Sequence, residues 1–379
     1  KNNKTMKKLF SILVLAFSCS ALFAQQTTVA LLNHEGTLTS FYGANALADA
    51  HKAAVHGDVI TLSGGSFAGL TFSKAVTVRG AGMVADSTGN REITYINSSV
   101  EIKIPTEIET PIIFEGIFFQ GGVSYSTITS SLCNNSTFNK CRINHYFGIS
   151  GVMGNANFYN CLLGINGTYG TSSFGTNVNI VNSVINALNN HDSSCKLNVT
   201  NCVVTYHPWQ YNPYSVDSKP INSKNTTFKN CIFTGVLLEK YSSDVSTFYL
   251  PETAVVNNCI SCYYGYKAET GSEAAVYYRD IFSNIANPNS TNVYFDEVTE
   301  VFKTYTNAGR IDQISVHEKF ELTDEAKAIL GSDGKEVGVH GGIGFNLEPT
   351  TLQITKCEVS PKVSEDSKLS VSIKVDAPK

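Results

Sequence analysis

The sequence predicts an all-β solenoid, in which short strands stack in successive coils. Two observations carry this prediction: a six-residue frame that recurs along the middle of the chain, and a composition in which only 16% of the residues are charged. Asn, Ser, Thr and Gly fill the spaces between apolar residues, which favours strands with short polar turns over surface helices. A period of about twenty to thirty residues is typical of stacked supersecondary units.

The frame has a bulky first residue, Cys or Ser in its fourth position and, in most copies, an apolar sixth residue. It reads FNKCRI from Phe138, FYNCLL from Phe158, IVNSVI from Ile180, VTNCVV from Val199, FKNCIF from Phe228 and VNNCIS from Val256. The even step from the fourth to the sixth position fits one strand face, and the odd step before it indicates a bend between two short strands. FEGIFF from Phe114 extends the series backwards.

Two columns of like residues are expected from the stacking. The fourth position predicts an interior ladder of Cys141, Cys161, Ser183, Cys202, Cys231 and Cys259. These thiols are interpreted as reduced, small hydrophobic residues, and the lone CxxC of Cys259 and Cys262 predicts no metal site. The third position, with Lys140 and then Asn160, Asn182, Asn201, Asn230 and Asn258, predicts an amide ladder at a turn. Lys140 and Arg142, as lone charges, are expected to face solvent.

The first segment predicts export. MKKLFSILVLAFSCSALFAQQ from Met6 has two lysines, an apolar run and then small residues, as in a signal peptide, with cleavage expected after Ala24. The apolar run from Leu9 to Phe17 is too short for a lasting membrane anchor. Cys19 leaves a lipoprotein open beside a freely secreted chain. The expected location is therefore secreted, periplasmic or at the cell surface, with residues 1–24 as the leader.

The entry segment resembles the right-handed parallel β-helix proteins of pectate-lyase-like type. The resemblance rests on ALADAHKAAVHGDVITLSGGSF from Ala46 and AVTVRGAG from Ala75. It implies a capping helix, a Gly57–Asp58 turn, a first strand and a Gly-rich turn that ends at Phe67. Independently of the family, Leu47, Ala50 and Ala54 form an apolar helical stripe that can cover an open core.

The resemblance and the frame together give the predicted organisation: a right-handed parallel β-helix over residues 25–345, with an N-terminal capping helix and a small C-terminal β extension over residues 346–379. FELTDEAKAILGSDGKEVGVHGG from Phe320 is similar to the last coil of bacterial members, so Tyr263 to Gly342 are expected to form the final, less regular coils. In the extension, LSVSIKV alternates apolar and polar residues, and Pro349 and Pro361 flank its first predicted strand. A complete and a truncated extension both remain open.

The resemblance leaves the activity open, because the family contains lyases, hydrolases and esterases as well as adhesins. Its lyases hold Ca²⁺ with several carboxylates and use an Arg or Lys base. The regular coils contain six acidic residues, of which only Asp192 and Asp217 are spaced to share a column. We therefore expect a non-catalytic glycan-binding protein or surface scaffold without a cofactor. The alternative is a Ca²⁺-dependent lyase acting on acidic, uronate-containing glycans, so whether the chain is an enzyme stays open.

The candidate ligand site is the long loop YHPWQYNPYSVDSKP from Tyr206. Flat aromatic faces stack on sugar rings, and charged neighbours orient hydroxyl or carboxylate groups. The candidate residues are Tyr206, His207, Trp209, Tyr211, Tyr214, Asp217 and Lys219, with His191 and Asp192 one coil earlier. The alternative interpretation is that the aromatic residues only pack the loop onto the solenoid wall.

The remaining charged residues and the net charge give weaker indications of function. Asp296, Glu297 and Glu300 lie close together and favour a solvated face over a metal site, and His340 is expected to be structural. A formal net charge of -4 gives no indication of nucleic-acid binding. No transmembrane span is predicted, and we expect a monomer whose partner is a polysaccharide or a cell-surface glycan.

Overall fold

The computed structural model confirms an all-β solenoid with parallel sheets. It describes residues 28–84, 92–105, 107–125, 135–143, 147–149, 155–164, 177–190, 196–205, 221–223, 225–234, 238–239, 250, 253–262, 264–270, 273–279, 282, 285, 291–305, 318–348, 353–359 and 371–376.

Three sheets form the walls of the solenoid. Sheet 1 contains, side by side, β2 (Thr37–Tyr42), β1 (Val29–His34), β3 (Val59–Leu62), β6 (Thr77–Arg79), β9 (Ile112–Glu115), β12 (Asn135–Asn139), β15 (Asn155–Tyr159), β17 (Asn177–Val181), β19 (Lys196–Thr200), β22 (Thr226–Lys229) and β25 (Val255–Asn257). Sheet 2 contains β29 (Val293–Phe295), β26 (Ile260–Cys262), β23 (Ile232–Thr234), β20 (Val203–Thr205), β18 (Val184–Asn190), β16 (Leu162–Gly164), β13 (Arg142–Ile143), β10 (Phe118–Phe119), β7 (Thr94–Ile96) and β4 (Gly65–Phe67), with β21 (Ile221–Ser223) on the far end of β18. Sheet 3 contains β14 (Phe147–Ile149), β11 (Val123–Tyr125), β8 (Val100–Ile102) and β5 (Thr71–Phe72).

The remaining elements lie outside these three sheets. They are a small sheet of β24 (Leu238–Glu239), β27 (Tyr264–Thr270) and β28 (Glu273–Arg279), a hairpin of β30 (Gln353–Val359) and β31 (Val371–Asp376), the helices α1 (Ala46–Ala53), α2 (Val298–Val301) and α3 (Asp324–Lys327), and a 3₁₀ turn at Gly338–His340. Pro349 and Pro361 flank β30 as the sequence predicts.

The bend inside each frame is a left-handed turn between sheet 1 and sheet 2. The backbone φ is 51° at Lys140 and 53° at Asn160, and it stays between 47° and 54° at the other four asparagines. Asn tolerates this conformation better than most residues with a side chain. The predicted bend between two short strands is confirmed, and it explains why the third position is so often Asn.

The interior is built from stacked like residues. Phe114, Phe138 and Phe158 lie in register in adjacent coils, with ring centroids 5.3 and 4.9 Å apart. All six side chains of the fourth-position ladder are buried beside this column. The alternation of buried and half-buried residues in β12, β15 and β17 leaves every second residue of sheet 1 on its outer face.

The N-terminal end has a cap that the sequence predicts only in part. Helix α1 is present, and Leu47, Ala50 and Ala54 are buried against the core as expected. The hairpin of β1 and β2 was not predicted. It turns at Glu35 and Gly36, with φ of 48° and 86°, and β1 pairs antiparallel with β3. Sheet 1 therefore begins with two antiparallel strands before its parallel part.

The expectation of a last coil at residues 320–342 is wrong. Strand β29 is the last strand of sheet 2. Residues 318–348, here called the C-terminal strap, then lie against the outer side of the solenoid. The strap meets the turn column at several coils: Ser332 N donates to Asn230 Oδ1 over 2.9 Å, and Asn346 N donates to Asn160 Oδ1 over 2.9 Å. The turn residues thus bind a separate segment of the chain.

The predicted amide ladder at the turn is also corrected by these contacts. Asn182 Nδ2 donates to the carbonyl oxygens of Val339 and Gly341, both at 2.7 Å, where a ladder would place the amide of the next coil. The strap fits because it carries glycines at the contacts. A Cβ added to Gly342 would lie 2.1 Å from Asn201 Nδ2, and one added to Gly331 would lie 2.7 Å from Asn230 Cγ.

Lys140 and Arg142 do not face solvent as lone charges. Lys140 is buried, and its Nζ donates to the Glu348 carbonyl oxygen over 2.7 Å. Burial lowers the pKa of Lys140 from its usual value, against the opposing effect of Glu115. The Arg142 guanidinium lies 4.8 Å from the centroid of the Phe118 ring. Both side chains therefore take part in the outer packing of the coils.

Candidate functional site

The predicted loop site lies outside the described residues. This holds for Tyr206, His207, Trp209, Tyr211, Tyr214, Asp217 and Lys219, and for His191 and Asp192. The described strands do bring the flanks of the two segments together. Strand β21, which follows the long loop, pairs parallel with the end of β18, so that Leu188 faces Ile221 and Asn190 faces Ser223. The described residues directly before His191 and those that follow the long loop therefore lie in one strand pair.

The outer face of sheet 1 has a regular polar surface that sequence reasoning missed. One column consists of Asn135, Asn155 and Asn177, in which Asn155 Nδ2 donates to Asn135 Oδ1 and Asn177 Nδ2 donates to Asn155 Oδ1, both over 3.1 Å. A second column runs through Asn157, Asn179 and Asn198, with the same amide bonds at 2.9 Å. The amide ladder of this protein thus lies on a sheet face, two columns wide.

These amides retain capacity for a ligand. An Asn side chain has two N–H donors and two acceptor lone pairs. Asn179 uses one donor toward Asn157 and one lone pair toward Asn198. One donor and one acceptor therefore remain on a half-exposed residue. Thr137 and Thr227 continue the second column at either end, and their hydroxyls add further polar groups.

The signal for this surface is present in the sequence. The strands that lead into four of the frames read NSTFN, NANFY, NVNIV and KLNVT, with polar residues, mostly Asn, at their first and third positions. Alternation of this kind predicts a strand with one polar face. The columns appear only when these strand residues are aligned between adjacent coils.

The outer face of sheet 1 has few charged residues, and its acidic residue and its exposed lysines lie in different parts of the solenoid. Toward the N-terminal end, Glu115 accepts hydrogen bonds from Arg79 Nε at 3.1 Å and from Asn139 Nδ2 at 3.0 Å. Farther along, Lys196 and Lys229 are exposed. In register, Lys196 lies beside Asn177 and Lys229 beside Thr200. In the described part of this face, the carboxylate near the N-terminal end is paired with an arginine, and the two lysines farther along have no acidic partner.

The thiol ladder is built for packing. Burial raises the pKa of Cys161 to about 12, and it raises the pKa of Cys141, Cys202 and Cys259 well above the usual value. Burial also acts to raise the pKa of Cys231, but its hydrogen bonds with Cys202 and Cys259 lower that pKa. The thiols donate to backbone oxygens, as Cys161 Sγ does to Phe138 O at 3.3 Å. Protonated, buried thiols are poor nucleophiles and metal ligands.

The acidic residues near the C-terminal end of sheet 2 have a local structural role. Glu300 accepts a hydrogen bond from Glu297 N at 2.9 Å, and the two residues form a capping box on α2. Asp296, Glu300 and Glu325 also line a shallow cleft of about 440 Å³. Within the described ranges, no group of three or more His, Cys, Asp or Glu side chains is arranged to hold a metal ion.

His340 lies in the strap, and its Nε2 forms a short hydrogen bond with the Lys319 carbonyl oxygen. This contact fits the structural role that the sequence predicts. In the described portion of the chain, no helix is long and apolar enough to cross a membrane.

None of the known protein families, curated proteins or solved structures with which the chain was compared matches it.

Proposed function

We propose that this chain is an exported, non-catalytic protein that binds polysaccharide or a cell-surface glycan along the outer face of sheet 1. The observation that supports the proposal is the pair of amide columns on this face. Parallel strands lie about 4.8 Å apart, so two coils span about 9.6 Å, which is similar to the length of a disaccharide unit. A linear glycan running along the solenoid axis would meet the same amide groups at each repeat.

The predicted aromatic loop fits the same proposal. In the sequence it lies between β20 and β21, and β21 pairs with the end of β18. Trp209 and its neighbouring tyrosines would supply stacking faces, which amides do not offer. The resemblance to pectate-lyase-like β-helix proteins and the predicted leader support an exported protein that meets glycans, and we propose a secreted, periplasmic or surface location on that basis.

The second candidate is a lyase for acidic glycans, and Lys196 and Lys229 favour it. Both are exposed cations on the polar face, where they would attract uronate groups. The described residues do not fit Ca²⁺, because Glu115 is already engaged by Arg79 and Asn139. Asp192 and Asp217 are the sequence-based candidates for that ion, so we derive no step through calcium.

A glycan binding and turnover screen, with and without Ca²⁺, tests the proposal. We expect saturable binding without release of unsaturated product. Lys229→Glu should weaken the binding of acidic glycans about tenfold or more, because it replaces an attraction with a repulsion. Lys52→Glu is the matched control, since Lys52 is exposed on α1, away from the polar face.

Two results would decide against the proposal. Calcium-dependent turnover that is lost in Asp192→Asn or Asp217→Asn would establish the lyase instead. Binding that is equally affected by Lys229→Glu and Lys52→Glu would remove the polar face as the site. Trp209→Ala separates the loop from the face: it should abolish binding while the melting temperature stays unchanged if the ring stacks on sugar.

A further inference from the structure

Among the described strands, β2 forms one edge of sheet 1. Strand β2 is the first strand in the sheet order, and within the described ranges it pairs only with β1. Leu38 and Tyr42 on this strand are 60% and 67% exposed. An edge strand presents a row of unpaired backbone groups that can pair with another extended segment.

The pattern of hydrogen bonds between β1 and β2 shows which backbone groups of β2 point away from β1. Gly43 N donates to Thr28 O over 2.8 Å, and these residues lie opposite each other in the hairpin register. In an antiparallel pair, hydrogen-bonded and non-hydrogen-bonded positions alternate. Every second residue back from Gly43 therefore bonds to β1. The N–H and C=O groups of Leu38, Ser40 and Tyr42 point to the free side.

This edge lacks the features that block pairing. β2 reads TLTSFY, without a charge or a proline, and its register with β1 has no bulge. Natural edges are usually protected by Lys, Pro or a bulge. The strand is also held in place, because Phe41 packs against the hydrophobic core. A rigid, uncharged and exposed edge is a ready partner for a second strand.

We propose that β2 pairs antiparallel with β2 of a second copy of this chain, centred on Ser40. In this register Leu38 lies opposite Tyr42 of the second copy, and Ser40 lies opposite its own equivalent. In this register even-numbered residues lie opposite even-numbered residues, and odd-numbered opposite odd-numbered. Their side chains therefore point to the same face, so the outer and inner faces of the two sheets are continuous. The three residues of one copy whose backbone groups point outward lie opposite the same three residues of the other copy. Each of these three pairs forms two backbone hydrogen bonds, which gives six in total.

Two arguments favour a second copy over the chain's own N-terminal segment, and the first rests on the proposed export of the chain. Cleavage after Ala24, as predicted, leaves only residues 25–27 before Thr28, and three residues cannot turn and pair along β2. The register is also self-complementary, so each copy satisfies all the outward groups of the other. The proposal replaces the monomer expected from the sequence with a symmetric dimer.

Cysteine cross-linking tests the register in the full, exported chain. In Ser40→Cys the two introduced residues face each other as a hydrogen-bonded pair, with Cα atoms about 5.5 Å apart, within disulfide range. In the control Leu38→Cys the two cysteines are four residues out of step, about 14 Å apart. Under mild oxidation we expect the Ser40→Cys dimer to form at least tenfold faster than the Leu38→Cys dimer. Equal rates would overturn the proposal.

Charge exchange at Ser40 gives an independent test by sedimentation. We expect the parent chain to show a concentration-dependent monomer–dimer equilibrium, which Ser40→Lys and Ser40→Glu each weaken about fivefold, since like charges directly opposite each other are destabilising. Mixing the two variants should restore the dimer as a heterodimer. A parent chain that stays monomeric at the highest soluble concentration, or a mixture that gains nothing, would contradict the dimer. Unchanged melting temperatures would show that both variants fold.

Discussion

The outer faces of sheet 1 and sheet 2 belong to the same coils and differ in almost every respect. Sheet 1 presents amides, threonines and two lysines, and its outward side chains are half-buried or exposed. Sheet 2 presents an apolar column that is buried under the C-terminal strap and the residues before it. The column contains Phe118, Leu162, Val184, Val203, Ile232 and Ile260, and it is interrupted only by Arg142, which lies in register between Phe118 and Leu162.

The difference shows that a solenoid wall can have two buried faces. A parallel sheet that is covered on both sides reads as a continuous apolar run, as in the LL, VI, VV and IF pairs that end four of the frames. The fifth frame position is therefore the residue that faces the cover. Within the described residues of sheet 1, where no such cover lies over the outer face, most of the outward strand residues are polar and remain available to a ligand.

The largest effect is expected from a buried charge on either side of sheet 2. Phe233→Asp places a carboxylate in the interior, and Ile232→Asp places one beneath the strap, where both parent side chains are buried. Each should lower the free energy of unfolding by about 3–5 kcal/mol, because a buried charge without a partner is costly. Lys229→Asp, in the same coil but on the outer face of sheet 1, should cost less than about 0.5 kcal/mol.

Urea denaturation of the three variants measures this difference. If Ile232→Asp is as mild as Lys229→Asp, the strap does not cover sheet 2, and the contrast between the two faces fails.

A smaller effect is expected from the glycines of the strap. Gly342 has a φ of 54°, and an added Cβ would lie 2.1 Å from Asn201 Nδ2. Gly342→Ala should therefore combine backbone strain with overpacking, and we expect a loss of about 2–4 kcal/mol. Gly334→Ala is the matched control, because Gly334 has a φ of 71° with nothing within 4 Å of the added Cβ.

Gly334→Ala should cost only the strain of the left-handed backbone, about 1–2 kcal/mol. Thermal melts of both variants check the comparison. Equal losses would mean that the strap does not press on the turn column at Asn201.

The smallest effect is expected at Lys140, which takes the third position in place of Asn in one of the six frames from Phe138 onward. Lys140→Asn should stabilise the protein by about 0.5–1 kcal/mol at neutral pH, because Asn suits the left-handed turn and the buried cation is removed. Burial lowers the pKa of Lys140 in the folded state. The parent therefore gains stability as pH rises through this lowered pKa, where folding no longer buries a charge.

The advantage of Lys140→Asn should then shrink as pH rises toward 10, as measured by urea midpoints at pH 7 and pH 10. An advantage that grows with pH would contradict the burial of this charge.

Much of the fold was accessible from the sequence because local rules decide it. The bend, the interior thiol ladder and the capping helix each follow from the residue types in one short segment. The strap was not predictable in that way, since residues 318–348 meet the coils through contacts such as Asn182 to Gly341, which are 159 positions apart. A local resemblance to a last coil could not show that. The β1–β2 hairpin was missed because its strands carry few buried residues.

The candidate site was predicted only in its aromatic part. Trp209 stands out by composition, and its loop lies outside the described residues. The amide columns were overlooked because each Asn is unremarkable alone, and only the register between coils turns Asn157, Asn179 and Asn198 into a continuous surface.

Thiol labelling of two residues in one coil tests the contrast between the faces most directly. In native protein, Lys229→Cys should react with a thiol reagent at a rate close to that of the unfolded chain, because position 229 is exposed on sheet 1. Ile232→Cys, under the strap, should react at least about a hundredfold more slowly, as should the ladder thiols, since labelling there needs local opening. Peptide mapping by mass spectrometry assigns each label to its cysteine. Equal labelling rates at positions 229 and 232 in native protein would contradict the account.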